Sequence, residues 1–196
     1  MDISADTALP DTFTYTEARR AGISKRHLYQ LRDQGAIEQI GHGLFHRTTA
    51  AWDADIDLVE IATRAPQATL CLTTALARHG LTDEIPARID IALPRGHWRP
   101  KTGAPTTWHS FHPATFDLGR DQLPLTPELS IGIYDPPRCI IDVYRLRHRE
   151  GPDLAITALK RWLRQPGNQP ATLLTLATHF PASETALRTT LETVLA

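Results

Sequence analysis

The sequence predicts an α+β fold in two parts, and three observations predict it. Residues 1–50 hold two short helical segments followed by a Gly-tipped hairpin pattern. The middle of the chain carries an apolar–polar alternation, Arg88 to Leu93, that stops at Pro94. From Arg138 onward, helical periodicity returns in segments divided by prolines.

The first segment, Phe13 to Arg20, reads as a helix opened by Thr14 or Thr16, with Glu17 near its positive end. Gly22 suits a left-handed residue that ends it. Ile23 can plug a core between two helices, and Ser24 is the next N-cap. Lys25 to Gln34 forms the second helix, closed by Gly35. Two extended runs, Ala36 to Ile40 and Leu44 to Arg47, flank Gly41-His42-Gly43 as a hairpin. Helix, turn, helix, hairpin is the order of a winged helix-turn-helix. Residues 1–11 show little periodicity.

The texture changes near residues 48–54, which places a domain boundary between 1–50 and 51–196. In the second part, Asp55 to Arg64 and Thr73 to His79 read as helices. Arg88–Leu93, Thr106–Phe111 and Ile131–Tyr134 read as strands, with mostly loop between the last two. Arg138–His148, Asp153–Leu163, Ala171–Thr178 and Ser183–Leu195 read as helices. The second part is thus a mixed α/β domain ending in several helices.

Composition excludes several classes. The chain has 196 residues, 41% apolar and 22% charged, enough to bury a core. Two distant cysteines, Cys71 and Cys139, make neither a disulfide framework nor a zinc spacing, and they fit reduced thiols in a cytoplasmic protein. The N-terminus lacks a basic and apolar leader, and no run approaches the ~18 apolar residues of a membrane span. The net charge of −1 implies no partner by itself, but basic residues are concentrated. Between Thr12 and Arg47 there are six Lys/Arg against three Asp/Glu, and between Arg138 and Arg164 seven against three.

At ~100° per residue, Leu28 and Leu31 face the core while Arg26, Tyr29, Gln30 and Asp33 face outward, with Lys25 beside them. Arg forks onto guanine and Gln onto adenine, and Lys and Tyr hold phosphate. The expected DNA contacts are therefore Ser24, Lys25, Arg26, Tyr29 and Gln30 on the second helix, with His42 and Arg47 on the wing. Asp33 should lie beyond the groove. A merely solvated basic helix and hairpin is the competing reading. A second basic group, Arg145, Arg147, Arg149, Lys160, Arg161 and Arg164, is a candidate surface for an acidic partner or phosphate, or else a solvated face of core helices. Asp142 can pair with Arg138 or Arg145.

Catalytic signatures are missing. His109-Ser110-Phe111-His112 has no Cys or Glu cluster beside it in sequence, so no metal is expected. There is no nucleophile elbow and no phosphate loop. The only lysines are Lys25, Lys101 and Lys160, and none follows a Glu by two, as a metal nuclease of the Asp…Glu-x-Lys type needs. The expectation is a protein without cofactor or enzymatic activity.

Phe13-Thr14-Tyr15-Thr16-Glu17-Ala18, Ala21-Gly22-Ile23-Ser24-Lys25-Arg26, Leu28 to Leu31, Gly35 and Gly43-Leu44-Phe45 resemble the AbiEi antitoxin family. So do Ala75 to Gly80, Ile89 to Pro94 and, most specifically, Ile133-Tyr134-Asp135-Pro136-Pro137-Arg138-Cys139-Ile140-Ile141-Asp142. Phe45 stands where the family often has Tyr, and the helix that usually precedes the Phe-Thr segment is not evident. The resemblance implies an antitoxin whose winged domain binds inverted repeats in promoter DNA and represses its own operon. It implies a second domain that neutralises a cognate nucleotidyltransferase toxin, directly or indirectly. The alternative is a winged-helix interaction module, or a transcription factor without antitoxin activity.

Overall fold

The computed structural model describes residues 9–41, 43–50, 55–126 and 129–195. The chain divides into two compact units: residues 1–66 with 100–104 and 124–130, and residues 67–99 with 105–123 and 131–196.

The first unit opens with strand β1 (Thr12–Thr14), then helices α1 (Tyr15–Arg20) and α2 (Lys25–Asp33), then strands β2 (Ile37–Gly41) and β3 (Leu44–Arg47). The start of the predicted first helix is therefore a strand. Phe13 pairs antiparallel with Phe45 across the sheet and stacks on its ring at 6.0 Å, a long-range pairing that local propensity does not reveal. Thr14 ends the strand and caps the helix in one residue. Its Oγ1 accepts from the Glu17 amide at 3.2 Å, and the Glu17 carboxylate accepts from the Thr14 amide, closing a capping box. Gly22 lies at φ +86 and Gly35 at φ +74, where a Cβ is disfavoured, and each turns the chain out of a helix. The sheet order is β1-β3-β2. Leu9, Phe13, Ala18, Ile23, Leu28, Ile37 and Phe45 form its core, so Ile23 plugs the helix pair as its position predicts. Helix α3 (Ile56–Arg64) follows.

The second unit holds strand β4 (Thr69–Leu70), helix α4 (Leu72–Arg78), strands β5 (Ile89–Pro94) and β6 (Thr106–Phe111), helix α5 (Pro113–Phe116), and strands β7 (Arg120–Pro124) and β8 (Ser130–Tyr134). These strands make a sheet in the order β6-β5-β4-β8-β7, with β4 antiparallel to β5 and parallel to β8, and β5 parallel to β6. The stretch predicted as loop before β8 thus contains α5 and β7. Arg120, Asp121 and Gln122 give β7 no apolar alternation to read.

Helices α6 (Pro136–Arg145), α7 (Arg147–Glu150), α8 (Pro152–Arg164), α9 (Pro170–Ala177) and α10 (Pro181–Leu195) complete the chain. The helix expected to run from Arg138 to His148 spans Pro136 to Arg145 instead. Helix α6 is central, packed against α4, α8, α9 and α10. Its start follows from sequence: Asp135 accepts from the Arg138 amide at 2.7 Å, and Pro136 and Pro137 occupy the first turn, where no amide is needed.

Cys71 and Cys139 are both fully buried free thiols. Burial pushes both thiols well above the ordinary range, and nearby carboxylates, Asp142 among them, push the same way. Both are expected to stay unmodified by Ellman's reagent in the native protein and to react fully in denaturant. Fast labelling of either native thiol would show the core to be open.

Candidate nucleic-acid interface

Helix α2 begins where Ser24 caps it, its Oγ accepting from the His27 amide at 3.1 Å. Leu28 is fully buried, which turns the rest of the helix outward in a fixed rotation. Ser24, Lys25, Arg26 and Gln30 are exposed. Tyr29 is half-buried, with Lys25 Nζ 5.9 Å and the Arg32 guanidinium 4.6 Å from its ring centre. Arg32 also bonds Asp33 at 2.8 Å, so the one acidic residue of this helix is neutralised within its last turn.

The hairpin β2–β3 is the wing. A groove of about 460 Å³ lies beside it, lined by Tyr15, Lys25, Tyr29, Gln39, Gly43 and Thr63 among others. The structure thereby brings Lys25 and Tyr29 together with the wing. Gln39 is exposed on β2, and its amide donates to the Gly41 carbonyl at 3.0 Å. Sequence reasoning missed it: strict alternation puts Gln39 on the face of buried Ile37, and the register irregularity between Gln39 and Gly41 is not visible in the sequence.

Arg47 is placed otherwise. It pairs with Ile37 at the base of the hairpin, and its guanidinium donates to the Leu9 carbonyl at 3.3 Å. It ties the segment before β1 to the sheet, away from the wing tip. His42, the tip candidate, lies outside the described residues.

The second basic group does not form one patch. Arg145 turns inward, pairing with Asp142 at 2.9 Å and lying 4.7 Å from the Phe111 ring centre. Arg147 donates to the Tyr144 carbonyl at 2.9 Å, closing the end of α6. Arg161 is paired with Asp83, one bond at 2.9 Å, and this holds the Asp83 carboxyl below the usual carboxylate range. Arg149, Lys160 and Arg164 remain exposed. The break at Leu146 and the positive φ of Gly151 spread the group over three helices, α6, α7 and α8, where the sequence reads two, Arg138–His148 and Asp153–Leu163.

The most specific sequence block serves the core. Arg138 is completely buried. Its Nε donates to Asp142 at 2.9 Å and its Nη1 to the carbonyls of Thr115 and Leu118 at 2.6 and 2.7 Å. Its guanidinium lies 4.1 Å from the Tyr134 ring centre and 4.6 Å from that of Phe180. Tyr134 OH donates to the Phe116 carbonyl at 2.8 Å. Burial pushes the Asp142 carboxyl up, and Arg138 and Arg145 pull it back. The Tyr-Asp-Pro-Pro-Arg block therefore joins β8, α5 and α6.

Among the described residues no group of His, Cys, Asp and Glu is arranged to hold a metal. His109 is buried against Asp90 at 3.0 Å, while His112 is exposed and accepts from the Ala114 amide, so the two histidines do not converge. Among the described residues no helix is long and apolar enough to cross a membrane.

Residues 8–47 match the family described as "Transcriptional regulator, AbiEi antitoxin". No curated protein matches the chain. A solved structure, the Rv2827c protein from Mycobacterium tuberculosis, superposes with a TM-score of 0.51 at 18% identity, over 92% of this chain and 76% of that one. At that identity the likeness concerns the fold. The fold is α+β, a winged helix-turn-helix followed by a mixed α/β unit that ends in helices, and over residues 8–47 the chain is similar to the AbiEi antitoxin transcriptional regulators.

Proposed function

We propose that this protein is an antitoxin that binds its own promoter through the first unit and neutralises a nucleotidyltransferase toxin through the second. One observation carries the DNA reading: the exposed cationic and amide face of α2 sits beside the wing, within a segment similar to AbiEi antitoxin regulators. In this reading α2 enters a major groove. Arg26 and Gln30 meet base edges, Ser24, Lys25 and Tyr29 hold phosphate, and His42 and Gln39 approach from the wing. Inverted repeats would then be occupied by paired copies. Arg47 shapes the wing from its base. The protein acts by binding and needs no cofactor. Exposed Arg149, Lys160 and Arg164 are the candidate contacts for an acidic partner surface.

Two measurements test this. The protein should shift a duplex carrying its upstream region, with affinity falling steeply as salt rises. Co-expression with the toxin encoded beside it should restore growth. A protein that binds no upstream duplex overturns the promoter reading, and failure to restore growth overturns the antitoxin reading.

A further inference from the structure

A second positively charged surface stands in the other unit, at the connection leaving β5. Arg95, Gly96, His97, Trp98 and Arg99 are all exposed, and Trp98 is 75% exposed. The backbone here is well anchored: the Arg95 amide donates to the Phe111 carbonyl at 2.8 Å, and Gly96 turns the chain at φ +92. Arg99 reaches edge strand β6, where its Nη2 donates to Ser110 Oγ at 2.8 Å. Ser110 and half-buried Trp108 are two apart on β6 and share one face of the sheet. Exposed His112 follows at the end of the strand. No Asp or Glu occurs anywhere from Ile91 to Phe116. Among the described residues neither Arg95 nor Arg99 has a carboxylate partner, in contrast to Arg145 and Arg161 of the same unit.

We propose that this surface binds a single-stranded nucleic acid, with a base stacked on the Trp98 indole and the flanking phosphates held by Arg95 and Arg99. An exposed aromatic among uncompensated guanidiniums is the arrangement that holds unpaired strands, because every base has a π-face and every link a charge. A protein partner is a poorer fit. Aromatic anchors in protein interfaces work inside dry, well-packed pockets. Here the exposed residues around Trp98 in sequence are Arg95, Gly96, His97 and Arg99, and the other large exposed hydrophobics among the described residues are Ile85, which precedes β5, and Leu195. A duplex is also a poorer fit, since its bases are already stacked on one another.

The test uses the full-length protein and labelled RNA and DNA strands of about twelve nucleotides, within the usual site size. Binding is followed by fluorescence anisotropy at low and physiological salt. Trp98→Ala should weaken binding roughly tenfold, inside the range that one stacked base accounts for. Trp98→Phe should restore most of it. Arg95→Ala and Arg99→Ala should each reduce the salt slope by about 0.7. Arg26→Ala, on α2, should leave single-strand binding unchanged, which separates this surface from the promoter reading. Binding of either strand with this pattern supports the assignment, and a difference between the RNA and DNA arms shows whether the 2′-hydroxyl is read. The proposal is overturned if folded Trp98→Ala binds like the parent, if Arg26→Ala removes binding, or if only an acidic peptide binds with dependence on Trp98.

Discussion

Asp142→Ala should cost about 3–5 kcal/mol of stability, the usual penalty for leaving one member of a buried ion pair alone. Asp142 is fully buried between Arg138 and Arg145, and each bond is 2.9 Å long. Its removal leaves the Arg138 guanidinium, itself fully buried, with two carbonyls and aromatic faces but no counter-charge. At this chain length the loss corresponds to a fall of roughly 10 °C in Tm. Asp142→Asn should cost less, because an amide oxygen still accepts from Arg138 Nε. Thermal unfolding followed by tryptophan fluorescence reports mainly on this unit, which holds Trp98, Trp108 and buried Trp162 of the four tryptophans. A Tm within a degree or two of the parent for Asp142→Ala would mean that Arg138 is compensated by something other than this carboxylate. Gly119 tightens the same corner. It sits at φ +65, and a Cβ there would lie 2.8 Å from both Arg138 Cβ and Asp135 Oδ1.

On the DNA side the largest effect of a single substitution is expected at Arg26. Arg26→Ala should lose about 1–3 kcal/mol on the specific duplex, about five- to 150-fold in Kd, with little change on random DNA. Arg26 is exposed on α2 and is not needed to fold it, since the helix is fixed by the Ser24 cap and by Leu28. Lys25→Ala should behave differently. It should weaken specific and random duplexes alike and lower the salt slope by about one, the mark of a phosphate contact. Mobility-shift titrations on both duplexes at two salt concentrations distinguish the two patterns. Equal losses on both duplexes for Arg26→Ala would make it a phosphate ligand instead of a base reader.

What sequence alone determined here is local. Ser24 satisfies an amide within one turn and starts α2 as read; Thr14 with Glu17, one of two caps the sequence offered, starts α1, and Asp135 with the prolines at 136 and 137 starts α6 two residues before the expected Arg138. Gly22 and Gly35 mark where those helices stop. The outward face of α2 follows from helical periodicity once Leu28 is inward. Strand β5 shows as an apolar–polar alternation, and a pairing of Asp142 with Arg138 or Arg145 is within helical reach. Tertiary structure decided whatever depends on partners distant in sequence. Strand β1 exists because Phe13 meets Phe45, and two-residue β4 exists because β5 and β8 flank it. Arg47 belongs to the base of the wing because the Leu9 carbonyl is there to receive it. Arg161 was indistinguishable in sequence from a surface cation and Arg145 was one of two possible partners of Asp142; only the placement of Phe111 and Asp83 takes both off the free basic surface. The reason is physical: caps and periodicity act across one helical turn, whereas burial and charge compensation are set by whichever residues the completed fold brings within a few ångströms.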